Sequence, residues 1–256
     1  MNRKYNFNES FFENIDCENK AYALGLIYSD GNIHVIKNSY YIMFGQSEER
    51  KDIVYKLNKI LDSDAKVHTV IKGSKLFYFI SLCSKKMYDD LVNLGLTPNK
   101  SLTVLFPKNI DKALMPHFIR GLFDGDGCIW DGKRKKILVR EWGNSRMKIV
   151  HNVKFTYTGN DKFVEAFQDY LVGEIGLNKT KLNYSKAKNK DNNISEHVCT
   201  MEYSGRGNIK KLYDHMYKDA TIFSDEKKIK FEKILCALDE KSSSETELIA
   251  GNPLEP

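Results

Sequence analysis

The sequence of 256 residues predicts an α+β protein built from two pseudo-symmetric units, each with the element order αββαββα. Three observations predict this fold class. A short motif occurs twice, and each copy is followed by the same alternation of helical and β-type periodicity. A hydrophobic fraction of 41% is enough for one large core or two modest ones. We therefore expect an internal duplication with antiparallel sheets, joined through the two motif helices.

The repeated motif occupies residues 21–31 and 117–127. The two copies align as Gly-Leu-(Ile/Phe)-x-x-Asp-Gly, with Asp30 and Asp126 at the same place in each. One Asp-Gly pair is weak evidence, because Asp-Gly is among the commonest turns. Two copies with matching flanks indicate a shared structural role.

The first unit, residues 1–97, is predicted to begin with the motif helix, which ends near Asp30. Strands follow at about residues 33–37 and 40–46, a helix at 49–61, strands at 66–72 and 76–82, and a helix at 84–94. Residues 98–112 are expected to be the linker between the units.

The second unit, residues 113–240, is predicted to begin near Met115 with Pro116 in the first turn of its motif helix. Strands follow at about residues 128–139 and 150–158, a helix at 161–173, strands at 180–186 and 197–204, and helices at 207–218 and 225–239. Residues 241–256 are predicted to be a disordered acidic tail, because Ser, Glu, Gly and Pro occur there without periodicity.

Composition limits the compartment and the partners. No apolar run approaches the ~20 residues that a membrane span needs, and the N-terminus has no signal core. Five widely spaced cysteines without a CxxC pair fit reduced thiols and neither a disulfide framework nor a zinc site. We expect a soluble intracellular monomer with no membrane partner. The net charge of +6, which an acidic C-terminus lowers, favours a polyanionic partner.

Small residues recur every four positions in both motif helices: Ala21, Gly25 and Ser29 in the first, Gly121 and Gly125 in the second. Such a stripe lets two helix backbones approach closely. We therefore expect the motif helices to pack against each other as the interface between the units.

This packing would place Asp30 and Asp126 side by side at the C-terminal ends of the helices, where the helix dipole is already negative. Divalent cations would relieve the repulsion, and oxygen ligands with remaining water are what Mg²⁺ prefers. A pair of metals is a recurring arrangement for phosphodiester hydrolysis.

The motif pair resembles the LAGLIDADG homing endonucleases, or meganucleases, in their single-chain form with two motifs. The resemblance is carried by Ala-Leu-Gly-Leu-Ile-Tyr-Ser-Asp-Gly at 23–31 and Ile-Arg-Gly-Leu-Phe-Asp-Gly-Asp-Gly at 119–127, and it covers about residues 15–235. It implies two αββαββα units whose saddle-shaped sheets lie over the DNA major groove. It also implies intron homing through a Mg²⁺-dependent double-strand break at a long asymmetric DNA target.

The resemblance assigns metal binding to Asp30 and Asp126, and it places the preceding Ser29 and Gly125 in the same metal site. The first copy departs from the motif at Ala-Leu 23–24 and Tyr-Ser 28–29, which puts packing in doubt more than catalysis. Asp124, two positions before Asp126, should point away from the metals and is expected to be structural.

The family also places a lysine near the metals in each unit, and a polar residue that positions water. The lysine candidates are Lys100 and Lys227, with Lys228 as the competitor of Lys227. Gln46, at the end of the second strand, resembles the polar residue. Asn160 is its expected counterpart in the second unit.

Strand parity predicts which side chains face DNA. With Ile33, Val35, Tyr40, Ile42 and Phe44 inward, the groove side receives the others. The predicted DNA-binding residues are Asn32, His34, Asn38, Tyr41, His68, Lys72, Lys75, Trp130, Arg134, Lys154, Thr156, Lys181, Asn183 and Lys186. Because the units differ at nearly all of these positions, the target should be asymmetric.

The main alternative is a non-cleaving nucleic-acid-binding protein of the same fold, either a maturase that binds intron RNA or a DNA-binding regulator. Both acids, both lysine candidates and Gln46 are present, so nothing in the sequence requires lost cleavage. An intein would need a splicing nucleophile at the start and His-Asn near the end, and Met1 and the 252–256 segment supply neither. A structural protein with two inert Asp-Gly turns is the fourth hypothesis.

Overall fold

The computed structural model describes residues 5–139, 145–184, 187–188, 194–195 and 198–250. The side chains of 133–139, 145–151, 187–188, 194–195 and 239–250 lie outside this description. The described elements of the first unit are α1 (Glu18–Asp30), β1 (Gly31–Ile36), β2 (Ser39–Ser47), α2 (Lys51–Ile60), β3 (His68–Lys72), β4 (Lys75–Cys83) and α3 (Lys85–Asn93). Short 3₁₀ turns occupy Glu48–Arg50 and Lys100–Leu102.

The second unit repeats this order and adds a C-terminal helix. Its described elements are α4 (Met115–Gly125), β5 (Cys128–Val139), β6 (Ser145–Asn160), α5 (Asp161–Ile175), β7 (Asn183–Tyr184), β8 (Ala187–Lys188), β9 (Ile194–Ser195), β10 (Val198–Ser204), α6 (Arg206–Tyr217) and α7 (Asp225–Ala250).

Each unit contains one four-stranded antiparallel sheet. The strand orders are β1-β2-β4-β3 and β5-β6-β10-β7, so corresponding strands occupy corresponding places. The pair β8 and β9 forms a separate ribbon. The predicted α+β class and its two αββαββα units are confirmed.

One face of each sheet packs on helices. Ile33, Ile42 and Phe44 are buried in the first unit, and Phe155 and Met201 in the second. Successive strand residues point to opposite faces, so the residues between these are turned away from the core. Among the described residues, no helix is long and apolar enough to cross a membrane.

Helices α1 and α4 pack against each other through glycine. A Cβ atom added at Gly25 would lie 2.1 Å from the Phe118 carbonyl oxygen, and one added at Gly121 would lie 2.3 Å from the Tyr22 carbonyl oxygen. Any side chain at either position would push the backbones apart. The predicted interface between the units, formed by the stripe of small residues, is confirmed.

Three details of the sequence prediction are wrong. Val35 is 45% exposed, because it lies at the hairpin end of β1, beside the turn at Lys37 and Asn38, past the helices that cover the sheet. Of the strand expected at 180–186, residues 180–182 lie outside any strand and Asn183–Tyr184 form β7, while 185 and 186 lie outside the described residues. Helix α7, predicted at 225–239, continues through Ala250, since residues 241–250 hold neither Gly nor Pro to stop it. The end of the predicted tail, residues 251–256, lies outside the described residues.

Candidate active site

The motif aspartates meet where α1 and α4 end. Asp30 is the last residue of α1, and Asp126 directly follows α4. A Cβ atom added at Gly125 would lie 1.9 Å from Ser29 Oγ and 2.8 Å from Asp30 Oδ2. The glycine stripe therefore brings the two carboxylates together, as predicted from the spacing.

Both carboxylates are destabilised in their charged form. Desolvation raises the pKa of Asp126, and repulsion from Asp30 raises it further, although Asp126 is open to solvent on one side. Desolvation also raises the pKa of Asp30, against the opposing effect of nearby Arg50 and Gln46. A pair of acids in this state gains from a bound cation.

Gln46, which the family resemblance names as a site residue, lies beside Asp30. Its side chain is 2% exposed, and its amide Nε2 donates to Asp30 Oδ2 at 2.5 Å. It comes near the end of β2, where the strand leaves the core for the 3₁₀ turn at Glu48–Arg50. The bond fixes the orientation of the Asp30 carboxylate.

Lys100, at the start of the linker directly after the first unit, and Lys227, in the second unit, both approach the aspartates. Lys100 Nζ donates to the Ser29 carbonyl oxygen, and Lys227 Nζ donates to the Gly127 carbonyl oxygen. Desolvation lowers the pKa of both amines, and for Lys227 the neighbouring Arg50 lowers it further. An ammonium whose pKa is lowered gives up its proton more readily, which suits proton transfer with water.

Lys228, the competitor of Lys227, is directed elsewhere. Its Nζ lies 4.0 Å from the centre of the Phe223 ring and 4.0 Å from Glu232 Oε1. The structure therefore selects Lys227 over Lys228 as the lysine beside the aspartates, a choice that the sequence left open.

Arg50 is a site residue that the sequence patterns did not reveal. Its Nη1 donates to the Gly125 carbonyl oxygen at 2.6 Å, and its charge lowers the pKa of both Asp30 and Asp126. Arg50 belongs to the first unit but contacts the motif of the second. The sequence feature that could have indicated Arg50 is its position four residues after Gln46, where the chain turns back toward the motif helices.

Asn160 is not the counterpart of Gln46. Its Oδ1 accepts from Phe163 N at 2.9 Å as the N-cap of α5, and its Nδ2 donates to the Val104 carbonyl oxygen. A buried Asn at this place is needed by the helix start.

Strand register gives the true counterpart. The motif glycine Gly31 pairs with Phe44, two residues before Gln46. In the second unit Cys128 pairs with Thr156, so the motif glycine before it, Gly127, falls opposite Tyr157. The residue two positions after Tyr157 is Gly159, which therefore takes the place of Gln46. Within the described part of the chain, Asp126 therefore has no amide donor of this kind, and it faces a cavity of about 230 Å³ lined by Lys100, Tyr157 and Gly159.

The donor set suits a hard cation that keeps water. Among the residues that the structure describes, no group of three or more His, Cys, Asp or Glu could hold a metal ion. The oxygens at hand are the two carboxylates and the carbonyls of Ser29 and Gly125, which here accept from Lys100 and Arg50. Mg²⁺ commonly binds through one or two carboxylates, several waters and substrate phosphates.

Asp124 lies outside this group, as its place on the helix predicts. It is fully buried and accepts from Tyr22 Oη at 2.9 Å, Tyr217 Oη at 2.5 Å and Ser224 N at 2.7 Å. Burial raises its pKa to about 6 in spite of these three donors.

The outer face of the first sheet carries most of the DNA contacts predicted for that unit. Register places Asn32 opposite Met43, and His34 opposite Tyr41, with the rings of the latter pair stacked. His68, Lys72 and Lys75 share this face, and Asn38 lies in the β1–β2 turn. The same face holds aromatic residues that were not predicted, Phe77 and Phe79, around a concavity of about 440 Å³ that reaches Asp30.

The outer face of the second sheet is described in part. Trp130 pairs with Lys154, Thr156 lies on the same face, and Asn183 pairs with Thr200. Lys181 is exposed just before β7. The Arg134 side chain and the whole of Lys186 lie outside the described residues. Glu202, which was not predicted as a site residue, is also on this face, and its Oε1 forms a salt bridge with Lys154 Nζ at 2.6 Å.

Two sheets joined by glycine-packed motif helices, with an aspartate at the end of each, form the fold of the LAGLIDADG homing endonucleases, so the resemblance seen in the motifs extends to the whole architecture. Neither a protein-family model nor a curated protein sequence matches the chain.

Three solved structures show the likeness. The first is the I-LtrWI LAGLIDADG homing endonuclease bound to target DNA, with a TM-score of 0.57, 13% identity and coverage of 91% of this chain and 92% of that one. The meganuclease I-AabMI bound to uncleaved DNA has a TM-score of 0.54 and 18% identity, with coverage of 88% of this chain and 91% of that one. The meganuclease I-CpaMI bound to uncleaved DNA has a TM-score of 0.53 and 12% identity, with coverage of 90% of this chain and 96% of that one.

Proposed function

We propose that this protein is a site-specific DNA endonuclease that makes a divalent-metal-dependent double-strand break at a long asymmetric target. The observation that carries the proposal is the aspartate pair at the joined ends of α1 and α4, with one lysine from each unit beside it. Asp30, Asp126, Lys100, Lys227 and Gln46 are the proposed catalytic residues. The fold shared with DNA-bound homing endonucleases supports DNA as the substrate.

Asp30 and Asp126 are the proposed ligands of Mg²⁺, with Ser29 and Gly125 contributing carbonyl oxygens. When bound there, the ions would neutralise charge on the attacked phosphate and activate water. Gln46 holds the Asp30 carboxylate in one orientation and leaves its other oxygen free to bind. Arg50 and Lys100 donate to the carbonyl oxygens of Gly125 and Ser29, and we propose that both cations turn toward phosphate when DNA binds.

Lys100 and Lys227 are proposed to exchange protons with the reacting water. Their pKa values are lowered by desolvation, so a neutral amine is more accessible to each than to a solvated lysine. Each lysine comes from a different unit, and two lysines match the two strands that must be cut. One chain thus supplies both halves of the site, in accord with a monomer.

The two sheets are proposed to read the major groove, one half-target each. The outer faces differ in chemistry: the first has Asn32, His34 and Phe79, and the second has Thr156 and Glu202. Different side chains at corresponding positions read different bases, so the target has no two-fold symmetry.

The proposal is tested by incubating the protein with a randomised duplex library and Mg²⁺ and sequencing the cut ends. We expect breaks within one asymmetric motif, and none in the presence of a chelator. Cleavage that continues in excess chelator would contradict the metal requirement. Sequence-specific retention of DNA without cut ends would favour the regulator or maturase alternative, which intron RNA added as competitor would separate.

A further inference from the structure

The residue two positions before each motif aspartate differs between the units. It is Tyr28 in α1 and Asp124 in α4, a phenol in one copy and a carboxylate in the other. Tyr28 Oη donates to the Leu94 carbonyl oxygen, and the Asp124 carboxylate accepts from the Ser224 amide, so each side chain is bonded to the protein outside the aspartate pair. Each reaches the segment of its own unit that carries the candidate lysine.

In the second unit the link runs from Asp124 to the start of α7. Asp124 Oδ2 accepts from the backbone N–H of Ser224 at 2.7 Å, and both residues are fully buried. Ser224 in turn begins α7, since its carbonyl oxygen accepts from Lys228 N and its Oγ accepts from Lys227 N at 3.4 Å. Asp124 therefore fixes the first turn of the helix from which Lys227 reaches Gly127.

In the first unit the link runs from Tyr28 to the end of α3. Tyr28 Oη donates to the carbonyl oxygen of Leu94, and a Cβ atom added at Gly95 would lie 2.8 Å from the same hydroxyl. The ring of Tyr28 is held edge-on by Phe118 at 5.1 Å between centroids. The segment that leaves this anchor reaches Lys100, whose Nζ returns to the Ser29 carbonyl next to Tyr28.

The same motif position, two residues before the aspartate, thus anchors the lysine segment in both units, as a hydrogen-bond donor in one and an acceptor in the other. The carboxylate of Asp124 accepts from an amide, whereas the hydroxyl of Tyr28 donates to a carbonyl. We infer that Tyr28 and Asp124 are positioning residues, each holding the lysine of its own unit, Lys100 or Lys227, beside the aspartate pair. The inference rests on the proposed function and assigns each anchor to one lysine, hence to one DNA strand.

The experiment uses a supercoiled plasmid carrying the target found in the library, with the rate of scission measured separately on each strand. Lys227→Ala and Lys100→Ala serve as references that show which strand depends on each lysine. The test variants are Asp124→Leu, which removes the acceptor for Ser224 N, and Tyr28→Phe, which removes the hydroxyl. The control is Tyr22→Phe, which removes one hydrogen bond to Asp124 and leaves the bond to Ser224.

We expect Asp124→Leu to slow the strand that Lys227→Ala slows by about tenfold to a hundredfold, and the other strand by less than about threefold. Tyr28→Phe should act on the opposite strand. Asp124→Asn should restore cleavage, because its oxygen can accept from Ser224 N while its amide donates to the Tyr217 hydroxyl. Tyr22→Phe should show no strand preference.

Equal slowing of both strands by Asp124→Leu, or no slowing, would overturn the inference for the second unit. If that variant does not fold, Tyr28→Phe decides, and an unbiased Tyr28→Phe would overturn it. A wild-type protein that cuts no member of the library would overturn the proposed function and the inference together. Strand-biased loss in a variant, beside a wild type that cuts both strands, supports the inference.

Discussion

Two carboxylates at the ends of packed helices carry an unfavourable charge in the absence of cations. Asp30 and Asp126 are desolvated, they repel each other, and the C-terminal ends of α1 and α4 add negative partial charge. Arg50, Lys100 and Lys227 offset part of this cost. The packing of α1 against α4 keeps the two carboxylates together in spite of the remaining cost.

This cost predicts that Asp126→Asn stabilises the metal-free protein. The pKa of Asp126 is raised on folding, so its destabilising effect is absent below its unfolded value of about 3.9 and grows as the pH rises through the raised value. At pH 7 the variant should gain about 1 kcal/mol or less, because solvent screens the exposed carboxylate. For a chain of this length, that is up to about 4 °C in Tm.

Thermal unfolding in chelator and in Mg²⁺ checks this prediction. Mg²⁺ should raise the Tm of the wild type, since a ligand of the folded state stabilises it. It should leave Asp126→Asn nearly unchanged. A variant that is less stable than the wild type in chelator, or that gains as much from Mg²⁺, would contradict the account of the carboxylate pair.

At the same scale, the motif aspartates follow from the sequence because their neighbours repeat. Gln46 follows from the family resemblance, applied to the end of the second predicted strand. Arg50 does not, because its contact with Gly125 joins the two units, and no local periodicity records such a contact. The choice between Lys227 and Lys228 depends on the phase of a helix start, which is set by the buried bond from Asp124 to Ser224.

At the scale of elements, the joint between α1 and α4 rests on a contact between backbones. Gly25 Cα lies 2.9 Å from a Cβ atom added at Gly121, and the converse distance is the same. Neither glycine has a positive φ, so close approach is the reason for both. This contact sets the distance between the two aspartates.

Gly121→Ala should therefore destabilise the protein, whereas Gly173→Ala should not. The added methyl group at Gly121 meets the Tyr22 carbonyl at 2.3 Å, and relief of this overlap should cost about 1 to 3 kcal/mol. Gly173 lies in α5 with nothing within 4 Å of an added Cβ, so alanine there should gain up to about 1 kcal/mol.

Urea unfolding of the three proteins measures both changes. An unchanged midpoint for Gly121→Ala would show that the helices separate at no cost, and the assigned interface would be wrong. A loss at Gly173→Ala comparable to that at Gly121→Ala would remove the contrast on which this assignment depends.

Most elements of both sheets were predictable because buried strands alternate and hairpin turns interrupt them. Two kinds of element were not. The strand β7 begins later than predicted, because its pairing with β10 starts at Asn183, a tertiary restriction that β-type composition does not show. Helix α7 extends past its predicted end at residue 239, where no apolar stripe in the sequence marks it and the absence of Gly and Pro allows it.

At the scale of the whole molecule, the outer faces of the two sheets are proposed to lie along one DNA duplex. The first face carries Lys72 and Lys75, and the second carries Lys154. Cations that contact phosphates release counterions, so the affinity for DNA should fall steeply with salt. Glu202, paired with Lys154, can accept from the amino group of cytosine.

Lys75→Ala should weaken DNA binding and reduce the slope of log K against log salt by about 1. Lys210→Ala is the matched control, because Lys210 is paired with Asp214 on α6, a helix that packs against β6 and β10 and is not part of the outer sheet faces. Fluorescence anisotropy with a labelled target over a range of NaCl measures both slopes. A lower slope for Lys210→Ala, with no change for Lys75→Ala, would place the DNA on another surface.

The proposed function implies that both aspartates, one from each unit, are needed for one double-strand break. The most direct measurement is cleavage of the selected target in Mg²⁺ by the wild type, Asp30→Asn and Asp126→Asn, with DNA affinity measured in parallel in a chelator. We predict double-strand breaks by the wild type alone, and DNA affinity within a few-fold of the wild type for both variants. Normal cutting by either variant would contradict the assignment of the active site to the aspartate pair.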